Sequence, residues 1–342
     1  MSLTDYQRSV GDWREQLRIN ERKTRVVIAL FILIYLIVGL VVDVFILHAM
    51  YPQVPLEQAF YALVTLKVFP YATLLMVAIA GISLLITYAF YDKIMLLGTE
   101  YHEVSPKTAQ TVQEKQLYNV VEEMKVASGL QFMPKVFIIE ANYMNAFASG
   151  YSERSAMVAI TRGLLDKLDR AEMQAVMAHE LSHIRHHDIK LTLMVAVLSN
   201  ILLIVLDILF YAVIFKRNDR RGDNRLFMVI LILRYVLPLI TVILALFLSR
   251  TREYMADAGC VELMRDNEPM ARALLKISDD HQQNAEQYAQ QYGSTAHEQV
   301  RQASYLFDPS SIDPVKSLSS AFSTHPSIID RLRALGFKSK SE

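Results

Sequence analysis

The 342-residue chain has a single cysteine, Cys260, so no disulfide can form within it and a zinc site built on cysteine thiolates is excluded. That usage is compatible with a reducing compartment. Charge of one sign is also missing: 35 Lys and Arg balance 35 Asp and Glu. No global basic field therefore argues for nucleic acid. Neither glycine nor proline occurs from Ala171 to Phe215, and the unpunctuated stretch predicts one helix. No short apolar stretch with a small-residue cleavage site follows the N-terminal segment, so no removable signal peptide is expected. There is no internal repeat. What the chain holds in excess is apolar surface: 53% of it is hydrophobic, which is high for a soluble globule and asks for membrane spans.

Four long apolar segments answer that demand: Val26–Leu47, Val68–Tyr91, Leu191–Phe215 and Leu226–Ser249. Each has about 20 residues or more, enough at 1.5 Å per residue to cross a hydrocarbon core of roughly 30 Å. The first two carry only Asp43 between them, near an end, and are joined by His48–Lys67, which holds one lysine and no arginine. Residues 1–25 are basic, with Arg8, Arg14, Arg18, Arg22, Lys23 and Arg25, and Leu3, Tyr6, Val10, Trp13 and Leu17 recur at helical spacing. This basic amphipathic segment fits a helix in the headgroup region, or a partly ordered tail. The positive-inside rule places the N-terminus and the chain after Tyr91 in the cytoplasm.

The third and fourth segments carry charge at matching depth. Asp207 lies eight residues before Phe215 and Arg234 eight residues after Leu226. In an antiparallel hairpin both fall about 12 Å below the loop. An ion pair between them is the expectation, against separate snorkelling or a water-filled cavity, because an unpaired charge at that depth is costly. The loop Lys216–Arg225 is basic, and four full spans would place it outside, against the charge rule. Either the second hairpin enters without crossing or the first pair dominates insertion.

The chain divides accordingly: residues 1–25, a transmembrane hairpin over 26–91, a second over 191–249, and a soluble domain formed by 92–190 with 250–342. Within the latter, Thr108–Ala127 has helical periodicity ending at Gly129, and Lys135–Glu140 and Ala156–Thr161 read as short strands of a small sheet. No glycine-rich phosphate loop follows either strand, so this is no Rossmann unit. Asp169 is a plausible N-cap for the helix that follows. Ser249–Met264 continues as a polar helix, 279–305 has helical propensity and reads as a peripheral helix, Asp308–Ser320 is a loop, and Ser327–Leu335 a last short helix.

Residues 179–183 read His-Glu-Leu-Ser-His. On a helix His179 and His183 share one face a turn apart and can bind one zinc ion, with Glu180 beside them as general base. A catalytic zinc site takes three protein ligands and an open position. Glu253 is the candidate third ligand, on a helix with Asp257 one turn later; the plainer reading of that pair is a solvated acidic face. Asp257, or Asp188, would orient a ligating imidazole. Leu191 begins its span about 12 Å of helix after His183, and Glu253 follows the other span by about 6 Å, so both halves of the site are expected just above the bilayer. His325 is a candidate cation for the oxyanion. Either His186 or His187 could be a substitute ligand, though such residues are more often surface histidines, and His48, His102, His281 and His297 receive no role.

His179-Glu-Leu-Ser-His183 with Asp188, Ser249-Arg-Thr-Arg-Glu-Tyr-Met-Ala-Asp257, and Thr324-His-Pro-Ser327 with Arg331 resemble the HtpX family of membrane zinc metalloproteases. Asn145-Ala-Phe-Ala and Gly163-Leu-Leu are similar too, and the likeness runs from about Thr108 to the C-terminus. The N-terminal extension and the Gln- and Tyr-rich 279–305 depart from it. The resemblance implies a mainly α integral membrane protein with a small β-sheet: four transmembrane helices plus a cytoplasmic zincin-like metalloprotease domain split around the second hairpin. It implies one zinc ion held by His179, His183 and Glu253, with Glu180 catalytic. It also implies a bacterial inner-membrane endopeptidase of the gluzincin type, its active site in the cytoplasm. Its substrates would be damaged or misassembled membrane proteins, and its partners other membrane proteases or quality-control factors. Related enzymes bind substrate as an added strand, and Asn145, Ala146, Phe147 and Ala148 are the matching stretch.

Three other readings compete. A CAAX-prenyl endopeptidase shares HExxH and a distal Glu but has more spans. A membrane metal-binding scaffold would hold zinc without cutting, and an ion transporter would depend on Asp207 and Arg234.

Overall fold

The computed structural model describes residues 3, 6–8, 13–96, 100–150, 152–217, 224–294, 305–307 and 325–339. The loop expected over Asp308–Ser320, most of the basic loop Lys216–Arg225, and residues 295–304 of the helix expected over 279–305, His297 among them, lie outside them. The architecture is mainly helical with a small mixed sheet. It forms two compact units, residues 25–87 with 192–245, and residues 1–24, 88–191 and 246–342.

The first of these is made of helices. Helix α1 (Trp13–Met50) is followed by a short α2 (Leu56–Val64) and by α3 (Tyr71–Leu96). Asp43, the one charge in that apolar stretch of α1, is buried because it caps α3. Its carboxylate accepts from the Ala72 and Thr73 amides at 2.8 and 3.0 Å and from Thr73 Oγ1 at 2.6 Å. Gly39 permits this approach, since a Cβ there would sit 2.6 Å from Thr73 Oγ1. Helices α7 (Asp188–Arg217) and α8 (Asn224–Met264) complete the unit, whose core includes Tyr35, Val38, Met76, Leu202, Leu206 and Leu237. Arg234 Nη1 lies 2.9 Å from Asp207 Oδ1, and its guanidinium stacks 4.1 Å from the Phe210 ring centre. Among the described residues three helical stretches are long and apolar enough to cross a membrane: Arg14–Met50, Val195–Ala212 and Phe227–Met264. Ile32, Leu36, Leu75 and Ile243 are among the large apolar side chains left exposed, as lipid would solvate them.

The other unit carries the sheet. Strands β2 (Tyr101–Val104), β3 (Lys135–Ile139), β4 (Ala146–Ser149) and β5 (Met157–Thr161) lie in the order β2-β3-β5-β4, with β3 and β5 parallel and β4 at one edge. Val, Ile and Phe fill β3 and β5 because both faces are covered. Helix α4 (Val112–Ser128) begins at a Thr111–Glu114 capping box and stops at Gly129, whose φ of 74° only glycine adopts freely. Helix α5 (Arg162–Lys167) leads to α6 (Arg170–Arg185), capped by Asp169 with Glu172, which packs among α4, the sheet and α9 (Glu268–Gln283).

Three expectations are corrected. Ala171–Phe215 is two helices, parted at His186 and at His187, which has φ 54°. A left-handed residue costs roughly 1–2 kcal/mol. The break turns Asp188 back so that its carboxylate meets His183 Nδ1 at 2.7 Å and Arg252 Nε at 3.2 Å, which residue i+5 of a straight helix could not do. Residues 1–25 are no separate amphipathic helix. Tyr6–Arg8 (β1) pairs antiparallel with Phe337–Ser339 (β6), and from Trp13 onward nothing interrupts the helix that becomes α1. The 279–305 stretch is not one peripheral helix: Asn284 ends α9 by returning its side chain to the Asp280 carbonyl at 2.9 Å, and α10 (Ala285–Ser294) follows. Its Tyr288 is buried. Helix α11 (Ile328–Ala334) closes the chain and is capped by Ser327.

Candidate metal centre

Helix α6 presents His179 and His183 on one face, and α8 presents Glu253 toward them. One ligand atom from each falls within 4.8 Å of the others. His179 Nε2 and His183 Nε2 are 3.1 Å apart, and each is 3.6 Å from a Glu253 oxygen. What lets the two helices close so tightly is Gly259, about one and two-thirds turns beyond Glu253. Its Cα lies against Ser182, the residue before His183, and a Cβ there would come within 3.0 Å of Ser182 Cβ. Cys260 follows, its thiol donating to the Ala175 carbonyl at 3.2 Å; burial pushes that thiol's pKa up and leaves it inert.

Each imidazole is held from behind. His179 Nδ1 is 3.0 Å from Asp257 Oδ1, and His183 Nδ1 is 2.7 Å from Asp188 Oδ2. A carboxylate at Nδ1 fixes the proton there and leaves Nε2 with its lone pair facing the other ligands. The two carboxylates have their own cations. Arg331 clasps Asp257 through Nε (2.9 Å) and Nη2 (2.6 Å), and Arg252 serves Asp188.

This donor set asks for a cation. Two Nε2 lone pairs cannot rest 3.1 Å apart with nothing positive between them. Both Glu180 oxygens and Glu253 Oε2 are buried without a hydrogen-bond partner. With both imidazoles neutral, as ligation requires, the buried carboxylates Glu180, Asp188, Glu253 and Asp257 outnumber the buried guanidiniums Arg252 and Arg331 by two, the charge of one divalent ion. Burial by itself lowers a histidine's pKa, yet the Asp257 and Glu253 carboxylates outweigh it and raise His179 to about 9. Burial raises the Glu180 carboxyl, helped by the nearby Glu253. For Glu253 burial pushes the same way, but His325, His179 and Arg331 prevail and hold it well below the usual carboxylate range. Histidine, histidine and a carboxylate in a dry site suit zinc.

The remaining expected residues fall as follows. His325 is buried with Nε2 3.7 Å from Glu253 Oε1. His186 stays off the centre, its Nδ1 2.9 Å from the Ser182 carbonyl. Asn145 immediately precedes β4, and Ala146–Ala148 are its first three residues, but the outer side of that strand is not free: Phe147 bridges Tyr305 antiparallel and the Leu306 amide donates to the Ala146 carbonyl at 2.8 Å. The outer edge at Asn145, Ala146, Phe147 and Ala148, the stretch matching the substrate-binding strand of related enzymes, is thus covered here by the chain itself. Asp207 and Arg234 belong to the other unit. Reading the sequence overlooks what Arg252 and Arg331 do; their signal was only that Arg331 follows the Thr-His-Pro-Ser motif at a helical distance.

Against known proteins, the pattern described as peptidase family M48, a zinc-dependent metalloprotease family, matches residues 111–337. The "Protease HtpX homolog" of Helicobacter acinonychis (strain Sheeba) is 40% identical over 316 residues, covering 92% of this chain and 96% of that protein. The protein of the same description from Listeria monocytogenes serotype 4a (strain HCC23) is 31% identical over 338 residues, 94% and 98% of the two chains. The solved structure titled "Crystal Structure of S. mikatae Ste24p" is similar with a TM-score of 0.48 at 19% identity, over 97% of this chain and 68% of that one.

Proposed function

Because the chain belongs to peptidase family M48 and is a membrane metalloprotease acting on polypeptides, we propose that it is an integral zinc endopeptidase using His179, His183 and Glu253 as ligands and Glu180 as general base. The observation that carries this is the convergence of those three ligand groups on one buried point. Zinc bound there supplies a Lewis acid that polarises the scissile carbonyl and lowers the pKa of water to about 7. Glu180, its carboxyl pKa raised by burial, takes a proton from the attacking water at a side-chain oxygen. It then passes that proton to the amide nitrogen as the C–N bond breaks. Asp257 and Asp188 keep both imidazoles in the tautomer that ligates. His325, buried beside Glu253, donates toward the developing oxyanion.

The setting is read in the same way. The four apolar stretches are four spans, Tyr71–Leu96 among them, and the catalytic domain comprises 92–190 and 250–342 around the second hairpin. The basic N-terminal segment supports a cytoplasmic site. The bacterial relatives support the inner membrane, with damaged or misassembled membrane proteins as substrates.

Purified in detergent with its metal, Glu180→Gln is expected to keep one zinc per chain and lose cleavage of casein by at least about a hundredfold, the scale of general-base catalysis. Glu253→Ala is expected to lose both. Parental cleavage by Glu180→Gln sinks the assignment of the base, and full zinc content in Glu253→Ala sinks the third ligand.

A further inference from the structure

Residues 305–307, Tyr-Leu-Phe, are buried against β4. Their grip on it is mostly made by one side chain that reads backbone. Asn145 Nδ2 donates to the Phe307 carbonyl at 2.9 Å, and its Oδ1 accepts from the Phe307 amide at 3.2 Å. A side-chain amide thus does for Phe307 what a neighbouring strand would do, with no regard to which residue stands there. The Leu306 carbonyl accepts from Arg331 Nη1 at 2.8 Å, and the same nitrogen lies 3.4 Å from Glu253 Oε2. One guanidinium nitrogen therefore links the tripeptide's backbone to a candidate metal ligand.

Its side chains alternate as an extended strand requires. Tyr305 and Phe307 enter a recess formed by Tyr143, Phe147, His281 and Tyr288. The Tyr305 ring is 5.8 Å from Phe147 and 6.4 Å from Tyr143, and Phe307 lies 4.5 Å from the His281 ring. His281 and Tyr143 in turn contact Tyr288 at 5.3 and 6.3 Å.

The family resemblance already places substrate on the β4 edge; we propose that Tyr305–Phe307 occupies that edge as a tethered stand-in until substrate displaces it, and that the recess beside it selects extended polypeptides with aromatic or large apolar residues two positions apart. The inference rests on the peptidase reading above. Any polypeptide presented to the metal by pairing with β4 needs the Ala146 carbonyl, the Asn145 amide and the Arg331 donor that the tripeptide already uses, so the two are mutually exclusive. A tethered occupant competes at an effective concentration near millimolar, which makes the enzyme weak toward flexible peptides lacking the aromatic pair.

Phe147 and Tyr305 face each other across an antiparallel bridge, a spacing that a disulfide spans. The probes are a fluorogenic decapeptide of the sequence Arg-Gln-Ala-Ser-Tyr-Leu-Phe-Asp-Pro-Ser and its counterpart with serine for tyrosine and phenylalanine. In the full-length Phe147→Cys/Tyr305→Cys protein, oxidation should cut cleavage of the first peptide at least about tenfold, and reduction should restore it. The serine counterpart should be cut at least about tenfold less efficiently by the wild type, through KM. Equal cleavage by oxidised and reduced protein, or of both peptides, overturns the proposal. A second measurement needs neither cysteine. In Glu180→Gln, saturating first peptide should accelerate hydrogen exchange of the Leu306 amide, and unchanged exchange or no binding overturns the proposal. Cleavage that survives Glu180→Gln defeats instead the peptidase reading, so the two failures are distinct.

Discussion

His281 sits on α9 outside the metal centre, fully buried, with Nδ1 2.9 Å from the Ile277 carbonyl. Burial depresses its pKa to about 4, against a smaller opposing effect of that carbonyl. Below pH 6.5 the unfolded chain therefore binds a proton that the folded chain refuses, so stability falls as pH drops from 6.5 toward 4 and is unaffected by this group above 6.5. The full loss is about 3 kcal/mol from a shift of this size. Urea unfolding of the wild type and His281→Phe at pH 7 and pH 4.5 checks it: the pH-dependent loss should shrink in the variant, and an equal loss in both rejects the argument. At this scale spacing carried a good deal. An i, i+4 pair is enough to set His179 and His183 side by side, and the same rule sets Asp257 one turn beyond Glu253. Arg331 meeting Asp257, and Asn145 meeting Phe307, join residues 74 and 162 positions apart. No local period announces such contacts; they exist only once the helices have packed.

Between elements the decisive contact is that of α8 on α6. A helix interior pays roughly 1 kcal/mol for glycine over alanine, so Gly259 needs a packing reason, and Ser182 supplies it. Gly259→Ala should destabilise the protein by about 1–3 kcal/mol despite the better helix former, and Gly259→Val by more, with zinc content falling as Glu253 is pushed from the histidines. Adding Ser182→Ala should recover part of the loss by freeing the space of the hydroxyl. Thermal unfolding together with metal analysis reads both effects; a Gly259→Val protein with parental zinc and melting temperature would refute the close-approach account. Two element ends were visible in advance, the Asp169 cap of α6 and Gly129 after α4, whereas the capping-box partners Glu172 and Glu114 were not. The α6–α7 break was hidden because its cause is not a breaker residue. It comes from the pull of His183 and Arg252 on Asp188, a tertiary effect that overrides local propensity.

At the scale of the molecule, apolar run length announced long helices, and α2 escaped notice because nine residues within a connection give too short a period. Each compact unit is assembled from separated pieces of chain, so composition along the sequence alternates where the units do. One consequence is thermodynamic. All three candidate ligands, and the carboxylates and guanidiniums behind them, lie in the unit of residues 1–24, 88–191 and 246–342, while the core of Tyr35, Val38, Leu202 and Leu206 lies in the other. Ligand binding stabilises only those states that keep the ligands together. Zinc at a hundredfold above its dissociation constant should therefore add about 2.7 kcal/mol to the opening of the ligand-holding unit and nothing to independent opening of the helical one. Hydrogen exchange in detergent, with and without chelator, measures the two separately. Chelation should speed exchange at Leu117 and Val120 of α4 and leave Leu202 and Leu206 of α7 unchanged. Equal acceleration at both sets would mean that the chain opens as a single cooperative body, and the division into two units would then have no thermodynamic content.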